Sequence, residues 1–445
     1  MKKTIQVNIE KMVNGGKGMG YCGEKALFAD FLLPGDVALV QVTKEKKRYI
    51  IADLVRVDEE SPLRIAPECV YFAHCGGCSL FNVDYKTELG FKKEWFMEMA
   101  KKGGFELEDD VEIIASTKET HYRNRAQFKI SAVNDKVLIG FHKRRTNRVV
   151  NIHKCLIINN KINDLLEPLK EMVKALTFNE HISQADFTID DDEQSIIMVM
   201  HINANYTEDR INIIREKFAQ NFEAGVTPFL RFKESSAIRP LFNENETEFT
   251  KYTIKDSANS FSHDIKLSPG SFIQVNYPQN LQLIDIMLEY LELSADDNVL
   301  DLYSGAGNFS FAAAHFCKSV YGVESYDKSV EDAISNLGEF GLSNMEFVAN
   351  DVAVEVKRLK SEGVEFEKII LDPPRQGAIE VLNEIDGLKA AKIVYISCDM
   401  ATFFRDAEHL KSIGYSLKKV KLIDMFPRTH HVEVISLFES VAKDS

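Results

Sequence analysis

In the stretch VYISCDMATFF an apolar run ends at Ile396 and breaks into Ser397, Cys398 and Asp399. A thiol at the mouth of a strand, between a hydroxyl and a carboxylate, is either a nucleophile or an inert buried cysteine. The polar company of Ser397 and Asp399 favours the nucleophile. Three more cysteines fall in one run, Cys69-x5-Cys75-x2-Cys78, with the turn-forming pair Gly76-Gly77 between the last two. Cys155, in VNIHKCLII, supplies a distant fourth. Four thiolates suit a structural zinc ion or an iron–sulfur cluster, and the spacing does not choose between them. Cys22 and Cys317 have no evident partner and read as ordinary buried thiols. The odd total of seven argues against a disulfide framework.

A second set of residues has the spacing of a nucleotide site. VLDLYSGAGNF puts Asp301, Gly305 and Gly307 directly after a strand, with a helix to follow. Glycines there let the backbone approach a ligand. Seventeen residues after Gly307, VYGVE ends on Glu324, an acid able to accept both hydroxyls of a ribose. A nicotinamide dinucleotide would want a third glycine at position 310, where the chain has Ser310. S-adenosylmethionine has no pyrophosphate to cradle and does not need it. Asp351, at the end of MEFVAND, is placed either to meet an adenine or to cap a helix that starts at Val352. In KIILDPPRQG two prolines stiffen a strand exit and hold Asp372 at the same sheet edge. Methyltransferases acting on exocyclic amines use a related turn with an aromatic residue where this chain has Arg375, which weakens the amine reading.

Charge is distributed unevenly. The chain carries a net charge of −14, which argues against a general-purpose nucleic-acid binder. Residues 116–155 nevertheless hold ten Lys/Arg against two acids, Glu119 and Asp135, and residues 1–58 hold ten against seven. A basic surface on an acidic body points to a polyanion bound at one place. Arg123, Arg125, Lys143, Arg144, Arg145 and Arg148 are interleaved with Tyr122, Phe128 and Phe141. Guanidinium groups for phosphates and aromatics for unstacked bases suit single-stranded RNA.

Positioning these groups takes two or three domains in 445 residues. Residues 1–58 read as a five-stranded barrel of the OB type, with stretches Ile5–Ile9, Ala26–Phe28, Val37–Val42 and Ile50–Val57 separated by the turn signals GGKGMG and LPGD. Residues 59–267 read as a mixed α+β domain, with a helix from Tyr85 to Lys101 and strands within Ala126–Ser131, Phe187–Ile189 and Ile196–Ile202. Residues 268–445 alternate strands and helices, the mark of an α/β fold with a doubly wound, Rossmann-like parallel sheet. Two strands, LKKVKLIDMF and HVEVISLFE, close the chain. No apolar run approaches the ~18 residues of a membrane span. The start, MKKTIQVNIEK, alternates like a strand and lacks the apolar core of a signal peptide, so a cytoplasmic protein is expected.

LDPPRQG, YISCDMATF and MFPRTHHVE, in that order, resemble the RNA uracil-5-methyltransferase family, the S-adenosylmethionine-dependent class I enzymes. The first half agrees: residues 1–58 resemble a TRAM domain, and APECVYFAHCGGC resembles the family's iron–sulfur motif. Members with both features resemble the enzymes that modify 23S ribosomal RNA. The resemblance implies Cys398 as nucleophile and Glu433 as the base that accepts a proton. It implies S-adenosylmethionine contacts at Gln274, Tyr303, Asn308, Glu324, Asp351 and Asp372, and a [4Fe–4S] cluster on Cys69, Cys75, Cys78 and Cys155. The chain departs from the family in having Asp399-Met400 after the nucleophile, where Asn-Pro is common, and Phe81 where Gln is frequent.

The chemistry so implied answers the question posed by Cys398. Carbon 5 of uracil is a weak nucleophile until a thiolate adds to carbon 6, and a thiolate can leave again. The target base must leave any stack to reach a strand end, so a loop or single-stranded RNA is the expected partner. On the residues alone Glu433 reads otherwise, as a solvent-facing side chain in the alternation Val432-Glu433-Val434. The alternatives are a tRNA-directed enzyme, an iron–sulfur oxidoreductase using nicotinamide, and a non-catalytic iron–sulfur RNA-binding protein. A monomer is expected.

Overall fold

The computed structural model describes residues 3–107, 111–133, 136–235, 237–242 and 248–441. Strands Thr4–Val13, Lys17–Cys22, Lys25–Asp30, Val37–Glu45 and Tyr49–Glu59 close into a barrel around Val7, Leu27, Val40 and Ala52. GGKGMG, expected to be a turn, is a turn only in its first half; the second strand begins at Lys17. A Cβ on Gly20 would stand 2.2 Å from the Asn8 carbonyl oxygen, and one on Gly18 2.7 Å from that of Leu32. These glycines let neighbouring chain close up inside a sheet.

A seven-stranded sheet follows, ordered Ile238–Pro240, Val226–Phe232, Ile196–Ile202, Ile182–Ile189, Arg125–Val133, Lys136–His142 and Val149–Asn151. Alternation along Arg125–Val133 turns Ala126, Phe128 and Ile130 into the core. Phe128 is therefore buried, and Tyr122, which precedes this strand, is buried as well, correcting the expectation that they stack on RNA bases. Phe141 is half-buried.

An eight-stranded sheet is ordered Met345–Ala349, Ser319–Glu324, Asn298–Leu302, Lys368–Leu371, Lys392–Ser397, Glu433–Ser440, Tyr415–Ile423 and Ile113–Ile114. Its first five strands are parallel, so their C-terminal ends share one edge. Glu433–Ser440 runs antiparallel to Lys392–Ser397 and therefore begins at the edge where the others end. Both faces are covered, and the central strands are buried almost throughout, as a doubly wound sheet requires.

The middle of the chain contributes to this layer. Helix Tyr85–Lys102 packs Phe91, Trp95 and Phe96 into the same core as Phe403 and Phe404, with the Phe96 and Phe404 ring centroids 5.0 Å apart. The single tryptophan of the chain, Trp95, donates its ring N–H to the Met12 carbonyl at 2.9 Å and ties the barrel to this helix. Hairpin Thr250–Lys255/Ser262–Leu267 shares a core with helix Tyr277–Leu291. Among the described residues no helix is long and apolar enough to cross a membrane.

Candidate active site

The residues expected to contact a cofactor gather at the C-terminal edge of the parallel strands. Gly305 and Gly307 take positive φ of 56° and 93°, and a Cβ on Gly307 would come within 2.5 Å of the Phe311 ring. Glu324, ending its strand, accepts the Gly305 N–H at 3.2 Å and the Tyr326 N–H at 2.8 Å, which fixes the carboxylate against the glycine turn. Asp301 lies fully buried beneath the turn. Its Oδ2 accepts the Ser310 hydroxyl, while its Oδ1 has no partner. Burial, with Asp372 and Glu324 adding, pushes this carboxyl up to about 7. Ser310, which stands where a dinucleotide fold would place glycine, thus has a role of its own.

Asn308 is locked to Asn280 by two reciprocal amide hydrogen bonds, of 2.8 and 3.0 Å. Tyr303 is half-buried at φ 64°, and Gln274 donates to Asp372 at 3.5 Å. Asp351 is the N-cap of helix Val352–Ser361, accepting the Val354 N–H at 3.0 Å. A cradle shaped by glycines, a buried orphan oxygen and convergent carboxylates suits a nucleoside with a cationic sulfonium.

Cys398 follows the strand Lys392–Ser397 directly. Ser397 pairs with Val434, so Cys398, just past the end of its strand, and Glu433, the first residue of the other, each adjoin that last pair. Burial pushes the thiol up to about 12, with the Glu433 and Asp372 charges adding and Arg375 opposing. Glu433 is buried, contrary to the solvent-facing expectation, because its strand lies inside a sheet covered on both faces. Burial, with Asp372 adding and Arg375 opposing, raises its carboxyl to about 8. Asp372 is raised to about 7 by burial alone. The carboxylate beside the thiol is structural: Asp399 caps helix Met400–Ser412, accepting the Ala401 and Thr402 N–H groups at 3.0 and 2.9 Å.

Sequence reasoning did not single out His430 and His431. Together with Cys398, Asp399, Met400 and the barrel residues Asn14 and Gly15 they line a cavity of about 210 Å³. Burial, with nearby cations such as Arg375 adding, holds the two imidazoles down at about 4 and about 3. The pair of adjacent histidines just before a buried strand was the available signal.

The four cysteines face one larger cavity, of about 780 Å³, which Arg123, Arg125, Phe272, Tyr326 and Arg375 also line. Burial and the mutual proximity of the thiols raise Cys78 and Cys75, and burial above all raises Cys155 to about 12. Such thiols need a cation to become thiolates. Among the described residues no group of three or more His, Cys, Asp or Glu side chains is arranged to hold a metal ion. Cys317 is buried, whereas Cys22 is half-buried.

The basic segment divides in two. Lys143 and Arg148 are exposed. Arg144 stacks its guanidinium 5.1 Å from the Phe31 ring and donates to the Cys78 carbonyl at 3.1 Å, while Arg145 donates to Asp30 at 2.6 Å. These two join the barrel to the second sheet. Arg125 donates to the Ser271 carbonyl at 2.9 Å, and Arg123 lies 5.6 Å from the Phe426 ring with its Nε buried and unpartnered.

Residues 84–441 match the family model described as tRNA (Uracil-5-)-methyltransferase, and residues 2–55 match the TRAM domain. The chain is similar to the 23S rRNA (uracil(1939)-C(5))-methyltransferase RlmD of Photobacterium profundum, at 32% identity over 98% of this chain and 94% of the relative. The RlmD of Shewanella woodyi is 31% identical, over 99% of this chain and 96% of its own. The fold is similar to that of Pyrococcus abyssi tRNA (uracil-54, C5)-methyltransferase, solved with S-adenosyl-L-homocysteine, with a TM-score of 0.73. That pair shares 23% identity over 98% of this chain and 100% of the other.

Proposed function

The chain belongs to the tRNA (uracil-5-)-methyltransferase family, and from that premise we propose that it uses S-adenosylmethionine to methylate carbon 5 of a uridine in 23S ribosomal RNA. The observation that carries this reading is that Cys398 and Glu433 both adjoin the Ser397–Val434 pair, with the Glu433 charge acting on the thiol, at the edge that also holds Asp372, Glu324 and the glycine turn. The choice of ribosomal RNA rests on relatives that align over nearly the whole chain, barrel included.

Cys398 first gives up its S–H proton to solvent; the thiolate then adds through sulfur to carbon 6 of the uracil, and the electron pair displaced from the 5,6 double bond becomes available at carbon 5. Bound S-adenosylmethionine supplies an electrophilic methyl group. Carbon 5 then carries both the new methyl and its original hydrogen. Glu433 takes that proton, the double bond reforms, and the Cys398 thiolate is expelled. A carboxylate raised towards 8 is a better base for a carbon acid than an exposed one. Arg375, which lowers both the Cys398 thiol and the Glu433 carboxyl, favours the charged form of each.

Cys69, Cys75, Cys78 and Cys155 would hold a [4Fe–4S] cluster. Four free thiols facing one cavity fit that group, in which each cysteine binds a different iron. A single zinc ion would ask the same sulfurs to converge more tightly. The cluster's place beside Arg123 and Arg144 suits a part in architecture or RNA binding. Exposed Lys143 and Arg148 meet phosphates, and the protein works as a cytoplasmic monomer.

The test is to map 5-methyluridine in ribosomal and transfer RNA from cells lacking this protein. Loss from one 23S position, restored by the intact gene, is the expected result. Loss from transfer RNA alone would overturn the substrate.

A further inference from the structure

The segment 424–432 joins the last two long strands and ends at Glu433, yet it contains no helix or strand. Five consecutive carbonyls in it are nonetheless each taken by a donor from elsewhere. Asp424 accepts from the Gln279 amide at 3.3 Å and Met425 from the Asn276 amide at 3.2 Å. Phe426 accepts from the Lys92 ammonium at 3.4 Å, and Pro427 from the Tyr122 hydroxyl at 3.1 Å. Arg428 accepts from the Ser79 and Leu80 N–H groups at 3.0 and 3.1 Å, directly after Cys78. The path of this peptide is thus specified from outside, residue by residue.

At its centre is a buried ion group. Lys92 lies 2.7 Å from Glu88 and 2.7 Å from Asp424, and all three side chains have no exposure. Tyr85 donates its hydroxyl to Asp424 at 2.8 Å, and Glu88 accepts the Arg428 backbone N–H at 2.7 Å. Arg428 itself sits at φ 68°, a left-handed conformation that a non-glycine residue keeps only when its surroundings demand it. Buried ion pairs contribute little net stability compared with apolar residues of the same volume; their best-attested use is to fix one geometry.

We infer that Lys92, with Glu88 and Asp424, is a positioning group for the reaction: it holds the peptide 424–432 and thereby sets the place from which Glu433 reaches carbon 5 of the uracil. This rests on the assignment of Glu433 as the base. Neither Lys92 nor its partners lines the cavities at Cys398 or the cysteines, so they act only through the segment they hold.

The test compares the variant Glu88→Gln/Lys92→Met/Asp424→Asn, in which all three charged side chains are made neutral, with wild type. The replacements keep volume, and the new amides still offer acceptors to Tyr85 and to the Arg428 N–H, but the cation on the Phe426 carbonyl is gone. The variant is expected to melt close to wild type and to bind RNA and S-adenosylmethionine with unchanged affinity. It should accumulate at least tenfold more denaturation-resistant protein–RNA adduct at steady state, because proton removal is slowed after methyl transfer. Tyr122→Phe, which deletes one hydroxyl from the same segment, should show the same effect at about threefold and serves if the triple variant does not fold. Wild-type turnover without excess adduct, in a folded triple variant or in Tyr122→Phe if the triple does not fold, overturns the proposal. Glu433→Gln is measured alongside. If it accumulates adduct and the positioning variants do not, only the positioning role falls; if it accumulates none, the base assignment fails and takes this role with it.

Discussion

Cys398 and Glu433 both adjoin Ser397–Val434, the last pair of two antiparallel strands, and the Glu433 charge raises the thiol. Two residues anchored at the adjoining ends of adjacent strands in a buried sheet are fixed relative to each other more firmly than two loop residues would be. In the proposed reaction the two act at successive steps on neighbouring carbons, which this placement suits.

The two roles separate by what each variant leaves behind. Glu433→Gln should transfer the methyl group and then stall, leaving a covalent protein–RNA adduct on a denaturing gel and turnover reduced at least a hundredfold. Cys398→Ala should form no adduct, and Cys398→Ala/Glu433→Gln none either. A Glu433→Gln enzyme turning over at the wild-type rate removes Glu433 from the mechanism.

The site's carboxyls should make stability depend on pH with a definite sign. Glu433 and Asp372 are raised in the folded protein, to about 8 and about 7. The folded state therefore keeps protons that the unfolded chain has lost, and the associated stability is full below the ordinary carboxylate range and disappears as pH rises through about 8. Glu433→Gln is expected to melt above wild type at pH 8.5, with the gap closing towards pH 4.5. At about 1.4 kcal/mol per pKa unit the upper limit is roughly 5 kcal/mol. Thermal melts of both proteins at the two pH values check it; a gap that widens towards acid has the wrong sign.

Anaerobically purified protein should be brown and contain iron and sulfide. Cys75→Ser or Cys78→Ser should lose both and give less folded protein, since a four-thiolate site with a ligand missing holds its metal poorly. Stoichiometric zinc without iron would decide for the single-ion alternative.

Lys143 and Arg148 should behave differently from their neighbours. Lys143→Ala/Arg148→Ala should weaken RNA binding and reduce the slope of log affinity against log salt by about 1 to 2, as lost phosphate contacts release fewer counterions. S-adenosylmethionine affinity should not move. Arg144→Ala/Arg145→Ala should instead lower the melting temperature, because it removes the ion pairs that Asp30 of the barrel makes with both arginines. Binding curves across salt concentrations and melts of both variants distinguish the pairs.

How far the chain could be read depended on whether a signal was local. Asp372 and Cys398 each end a short apolar run, so their strand-end placement was legible directly. The glycine turn and Glu324 were legible for the same reason. Glu433 was not, because Val-Glu-Val alternation is identical whether a strand has one buried face or two, and coverage on both faces is decided by helices elsewhere in the chain. Asp30, which pairs with both Arg144 and Arg145, lies more than a hundred residues away on the barrel, where no periodicity reaches. Phe128 is a different case: the alternation Ala126, Phe128, Ile130 was visible, and it already placed that ring on the core face. Gly18 and Gly20 show the converse, a glycine-rich stretch that is strand because neighbouring backbone leaves no room for a side chain.

The short strand Ile113–Ile114 pairs with Tyr415–Ile423, more than 300 positions further along the chain. Synthesis on the ribosome therefore produces one edge of this sheet long before its partner exists. Phe91, Trp95 and Phe96 emerge early, but the surface that covers them includes Phe403 and Phe404. A nascent chain can close its barrel at once, since all five strands lie within the first 59 residues. Cys398 and Glu433 come together only when the strand Glu433–Ser440 leaves the exit tunnel, so a chain truncated short of it has a barrel but lacks the proposed base.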